Sequence, residues 1–185
     1  MSTHFADQLV LARWGLKQIG IDDFDRLSTL LRSPEYEGWS GDGGSLFAEQ
    51  LIARLPRLNQ QGRTVSDEML REYDGNIVRH WKHITRIRNL AGPTIYPLYF
   101  QYLCLLVSEI YLDGYFRDPR GLLQSLNGFP FASMLAPEAP APKTRGKKKT
   151  PVIEIEPFTL PELNKLAFWM ATGSGKTLLM HCHIL

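Results

Sequence analysis

The sequence predicts a mainly α-helical N-terminal domain followed by the first strand, phosphate-binding loop and helix of an α/β nucleotide-binding domain. Three observations lead there. Over residues 5–129 apolar side chains recur at steps of three and four, while alternation of period two is scarce, which is the pattern of amphipathic helices. From Met134 to Pro151 the composition switches to alternating Pro and Ala, then to five cations within seven positions. Beyond that, the apolar run Leu166-Ala167-Phe168-Trp169-Met170 leads into Ala171-Thr172-Gly173-Ser174-Gly175-Lys176-Thr177 and a second helical pattern. The expected division is a helical domain over 1–131, a linker over 132–151 and an incomplete nucleotide-binding domain over 152–185.

In the helical part, segments are expected at residues 5–18, 22–32, 45–55, 66–73, 76–89, 97–116 and 119–126. Gly20, Gly38, Gly41, Gly43, Gly44, Gly62, Gly92 and Pro93 punctuate them, and Ser45 and Ser66 stand where N-caps belong. Residues 98–116 form the most apolar window, yet Gln101, Glu109 and Asp113 interrupt it; this favours a buried helix over a membrane span. Tyr99, Phe100, Tyr102, Tyr111, Tyr115 and Phe116 on that helix read as core packing, and Glu109 with Asp113 as its polar edge. The helix over 76–89 carries Ile77, Trp81, Ile84 and Arg88 on one side and Arg79, Lys82, His83 and Arg86 on another. The second side is a solvated face or a phosphate-tracking surface, with Arg79, Lys82 and Arg86 the candidate nucleic-acid contacts.

The linker cannot bury enough apolar area to offset its ordering entropy. Its cations Lys143, Arg145, Lys147, Lys148 and Lys149 read as a solvated tether, with contact to nucleic-acid phosphates as the alternative. Residues 152–160 alternate weakly, 161–164 fit a short helical turn, and the strand is expected from Leu166. The helical region is expected to fold without this tail.

The loop carries the chemistry. Backbone N–H groups converging at a helix N-terminus hold a nucleotide phosphate, and glycines such as Gly173 and Gly175 let the chain curl closely enough. Thr172, Gly173, Ser174, Gly175, Lys176 and Thr177 are the nucleotide-binding candidates. Lys176 would meet the β- and γ-phosphates and Thr177 would complete the shell of a nucleotide-bound Mg²⁺, so these two are the catalytic candidates and ATP with Mg²⁺ the expected cofactors. Met170 stands where the strict spacing has its first glycine, which argues against a small-molecule kinase.

Composition and charge leave the class open: 44% hydrophobic residues and a net charge of +2 describe ordinary globular material. Cys104 and Cys182 lack metal-ligand spacing and suit a reducing cytoplasm; no secretory signal starts the chain. His181-Cys182-His183 has ligand-type side chains, but neighbours on a helix point about 100° apart and cannot converge on one ion. His80 and His83 are no better placed.

The loop Ala171-Thr172-Gly173-Ser174-Gly175-Lys176-Thr177 resembles motif I of superfamily 2 helicases and translocases. A softer likeness joins it: Tyr99-Phe100-Gln101-Tyr102-Leu103, Glu109-Ile110-Tyr111-Leu112-Asp113, Tyr115-Phe116 and Leu122-Leu123 are similar to the helical N-terminal region of proteins related to the helicase subunit of type III restriction enzymes. The resemblance implies a RecA-like P-loop NTPase domain, ATP-driven translocation on double-stranded DNA, and a methyltransferase or nuclease partner in restriction or foreign-DNA defence. The polar breaks in residues 98–116 and the two lone cysteines set the expectation of no membrane and a cytoplasmic location beside it. No Asp-Glu pair follows the loop, so the chain reads as the N-terminal fragment of a larger enzyme, inactive alone. Such enzymes place an adenine-reading glutamine upstream of motif I, and no glutamine follows Gln124; Phe158 is the remaining stacking candidate. The alternative is a non-catalytic helical module that docks a partner or positions DNA, its loop silent.

Overall fold

The computed structural model describes residues 10–21, 24–54, 63–130, 156–167 and 172–184. It is mainly helical. In chain order the elements are α1 (Val10–Gln18), α2 (Phe24–Leu31), a short 3-10 helix (Pro34–Tyr36), α3 (Leu46–Arg54), α4 (Asp67–Ala91), α5 (Tyr99–Arg117), α6 (Pro119–Asn127), a second 3-10 helix (Leu160–Asn164) and α7 (Lys176–Ile184). Among the described residues there is no strand, only an isolated antiparallel bridge between Trp39 and Ser45. Leu166 and Ala167 have no regular structure, and residues 168–170, the rest of the expected strand, lie outside the described residues. So do the linker over 132–151 and residues 1–9.

Helix α5 is the centre of the fold, with α1, α2, α4 and α6 packed around it. Its first three turns bury Gln101, Tyr102, Leu103, Leu105, Leu106, Ser108, Ile110 and Tyr111 on nearly every side, which explains why its sequence shows an apolar run more than a stripe. Gly15 lets α1 approach closely, since a Cβ there would stand 2.7 Å from Val107 Cγ1. The aromatic side chains are mostly interior as expected, with Tyr102 and Tyr111 buried and Tyr99 and Tyr115 packed on the core; Phe100 is half-buried outside that cluster and Phe116 is exposed. Glu109 and Asp113 hold structure. Glu109 accepts from Asn76 Nδ2 at 3.0 Å, while Asp113 accepts from the Tyr73 hydroxyl at 2.8 Å and pairs with Arg117 at 2.6 Å. None of the described helices is long and apolar enough to cross a membrane.

The two helices expected at 66–73 and 76–89 are one helix of 25 residues. Glycine in a helix interior costs about 1 kcal/mol relative to alanine, and aspartate is a poor helix former, so the pair Asp74-Gly75 marks a break on local grounds. Tertiary contacts override that penalty. Asp74 is only 3% exposed, and its carboxylate takes the Ser45 N–H at 2.8 Å, the Ser45 hydroxyl and the Tyr102 hydroxyl at 2.8 Å. Burial raises the Asp74 pKa above the ordinary carboxylate value, and the hydrogen bonds from Ser45 and Tyr102 oppose that rise. Three elements, the start of α3, the middle of α4 and the first turn of α5, are thereby tied at one carboxylate.

Both expected serine caps are present. Ser45 Oγ accepts the Ala48 N–H at 3.1 Å and Ser66 Oγ accepts the Met69 N–H at 3.1 Å, each satisfying an otherwise orphaned donor in the first turn.

The expected boundary near residue 131 is crossed by packing. Leu163, Leu179 and Cys182 belong to the same buried cluster as Trp14, Leu106 and Trp81. The Tyr111 hydroxyl donates to the Leu163 carbonyl at 2.9 Å, and Asn127 pairs with the backbone of Phe158 through both amide atoms, at 3.0 and 2.8 Å. Helix α7 lies along α4.

Candidate phosphate-binding loop

Residues 172–175 form a turn that leads directly into α7 at Lys176. Gly173 and Gly175 adopt φ of +80° and +85°, a left-handed conformation in which a side chain would be strained. The glycine spacing read from the sequence thus corresponds to two real backbone requirements. The Gly175 carbonyl accepts from Leu178 N at 2.9 Å and Leu179 N at 3.2 Å, which fixes the first helical turn.

The side chains are arranged to suit an anion. Thr172, Gly173, Lys176 and Thr177 are exposed, with Ser174 and Gly175 half-buried. No acidic residue stands in the first turn of α7, so the positive end of the helix dipole is not offset by its own side chains. The opposite face of the helix anchors it: Leu179 and Cys182 are buried, and burial pushes the Cys182 thiol up to about 11. His181 is exposed, so the His181-Cys182-His183 run faces several directions, as its helical spacing predicts.

His183 is half-buried, and loss of hydration lowers its pKa below the ordinary histidine value. The folded chain therefore holds fewer protons than the unfolded chain as pH falls below about 6.5, and stability is lost as pH drops through the depressed folded pKa. Thermal unfolding at about pH 7.5 and about pH 5.5 should show a fall in melting temperature that is smaller in His183→Gln. An equal fall in both proteins would remove His183 from the account.

The residues fit a nucleotide phosphate with Mg²⁺ on observations of the loop itself: two left-handed glycines, and an exposed lysine and hydroxyl at the first two helical positions. Phe158, the aromatic candidate for adenine, packs on the core and is held by Asn127.

Arg79, Lys82, His83 and Arg86 are exposed on α4, the helix that α7 packs against. Two of them have local neighbours. Lys82 Nζ lies 5.0 Å from the centre of the Trp39 ring, and Arg79 donates to Asn76 Oδ1 at 3.1 Å. On the other side of α4, Ile77 and Trp81 are buried, and the Trp81 indole donates to the Ile95 carbonyl at 2.9 Å.

One residue at the loop has no sequence signal of its own. Gln101, from the first turn of α5, donates from Nε2 to the Ser174 carbonyl at 2.8 Å. In the sequence it reads only as a polar interruption of an apolar run. Comparison of the chain with protein-family models, with curated proteins and with solved structures finds no match.

Proposed function

We propose that this chain carries the nucleotide-binding loop and the helical N-terminal domain of an ATP-dependent DNA helicase or translocase of superfamily 2, related to the helicase subunit of type III restriction enzymes. The observation that supports it is the loop 172–177, with Gly173 and Gly175 at positive φ and Lys176 and Thr177 exposed at the start of α7. In this reading the loop amides and Lys176 hold the β- and γ-phosphates of ATP, and Thr177 completes the Mg²⁺ shell. The bound Mg²⁺–nucleotide supplies the phosphoryl group whose transfer drives movement on DNA. In this reading the loop opens a RecA-like P-loop NTPase domain. The exposed cations Arg79, Lys82 and Arg86 would meet the phosphates of double-stranded DNA, and the full enzyme would work with a methyltransferase or nuclease subunit in the cytoplasm.

Turnover needs more than this loop. An acid that orients Mg²⁺ and water, and an arginine that offsets charge on the transferring group, are required of P-loop motors, and the loop 172–177 contains neither. The 185-residue protein should therefore release no phosphate from ATP, with or without duplex DNA. It should bind duplex DNA with an affinity that falls as salt rises, and the triple charge reversal Arg79→Glu, Lys82→Glu, Arg86→Glu should flatten that dependence. Fluorescence anisotropy at two salt concentrations, beside a phosphate-release assay, tests both parts. DNA-stimulated turnover abolished by Lys176→Ala would overturn the division of labour, and unchanged DNA binding in the triple variant would reduce the basic side to a solvated surface.

A further inference from the structure

We propose that Gln101 is a positioning residue for the phosphate loop, through which the helical domain sets the loop's affinity for nucleotide; this rests on the phosphate-binding reading of residues 172–177. The Gln101 side chain is 5% exposed, and both ends of its amide are engaged. Oε1 accepts the Leu98 N–H at 2.9 Å, at the N-cap of α5, and Nε2 donates to the Ser174 carbonyl at 2.8 Å. An N–H can only donate and a carbonyl can only accept, so these two backbone groups fix which way the amide faces.

The consequence for the loop follows from peptide geometry. The Ser174–Gly175 peptide is trans, so its C=O and N–H point in opposite directions. With the carbonyl held at α5, the Gly175 N–H is turned outward, away from the buried helix, which is the orientation a phosphate cradle requires. Freed from Gln101, this peptide could rotate and present its carbonyl oxygen to the anion. Gly175 is needed for this contact as well as for its φ, because a Cβ there would stand 2.4 Å from Gln101 Nε2.

Gln101 also has a rigid support. Its neighbour Tyr102 is fully buried and donates to Asp74, so the first turn of α5 is held from the side of α4 while it holds the loop. The sequence separation of 73 residues between Gln101 and Ser174 makes this a contact of the helical domain with the nucleotide loop, and not a feature of the loop alone.

The test uses the 185-residue protein, a slowly hydrolysed ATP analogue with Mg²⁺, and the variants Gln101→Glu, Gln101→Met and Lys176→Ala. Gln101→Glu keeps an acceptor for Leu98 and loses the donor to Ser174; Gln101→Met removes both without adding charge. Calorimetric titration should show affinity about tenfold weaker in each Gln101 variant, the scale of one lost hydrogen bond. Amide hydrogen exchange should show faster exchange over residues 173–176 in both Gln101 variants before nucleotide is added, and no such change in Lys176→Ala, which loses affinity by losing charge. If both Gln101 variants bind as tightly as the parent while Lys176→Ala does not, the Gln101 proposal fails and the phosphate reading stands. If the parent protein itself binds no analogue, the phosphate reading fails and takes this proposal with it.

Discussion

Replacing Asp74 with alanine should destabilise the protein by about 3–5 kcal/mol, whereas Asp74→Asn should cost about 1–2 kcal/mol. The difference lies in what remains behind. Alanine leaves the Ser45 N–H, the Ser45 hydroxyl and the Tyr102 hydroxyl without the acceptor they share, and Ser45 and Tyr102 are 1% and 0% exposed, so water cannot replace it. Each buried orphan costs about 1–3 kcal/mol. Asparagine keeps the shape. Its carbonyl can take the Ser45 N–H and its amide can donate to the two hydroxyl oxygens, so only the two hydroxyl protons lose their acceptor. Burial already raises the Asp74 pKa, so the charge is not what the site rewards. Chemical denaturation of the two variants measures this directly. Similar losses in both would mean that the carboxylate charge, and not hydrogen-bond completion, holds the junction.

The second large effect concerns function. Lys176→Ala should weaken binding of Mg²⁺–ATP by about 100-fold, because the lysine is the compact charge at the first position of α7 and a charge-assisted hydrogen bond contributes about 1.5–3 kcal/mol. In an enzyme that contains the remaining motor parts, the same change should abolish ATP-driven activity and leave duplex binding largely intact. On the proposed reading the two functions separate, because Lys176 would serve the nucleotide while DNA phosphates would be met by Arg79, Lys82 and Arg86. ATPase activity that survives Lys176→Ala would end the motor assignment.

What the sequence made legible was local. Among the described residues apolar spacing placed six of the seven α-helices close to their observed positions, serine caps marked the starts of α3 and α4, and the 161–164 turn is the 3-10 helix Leu160–Asn164. The loop was legible for the same reason, since Gly-x-Gly-Lys-Thr encodes backbone conformation and charge within a few residues. What escaped depends on distant partners. Asp74-Gly75 looks like a helix break until Ser45 and Tyr102 are brought to the carboxylate, and α4 then runs through it. Gln101 interrupts an apolar run with nothing nearby to explain it, because its partner carbonyl is on Ser174. Leu163 and Leu179 gave no sign that they join the helical core, since a short turn and a nine-residue helix carry too little pattern to reveal what covers them.

The central claim is that residues 172–177 cradle a nucleotide phosphate. Two-dimensional amide NMR of the 15N-labelled 185-residue protein, titrated with Mg²⁺–ADP, tests it at the atoms involved. The account predicts saturable shifts concentrated on the amides of Gly173, Ser174, Gly175, Lys176 and Thr177, with the Gly175 amide moving downfield as it takes up a phosphate oxygen. Shifts that leave these amides unmoved, or that centre on another part of the surface, would contradict it.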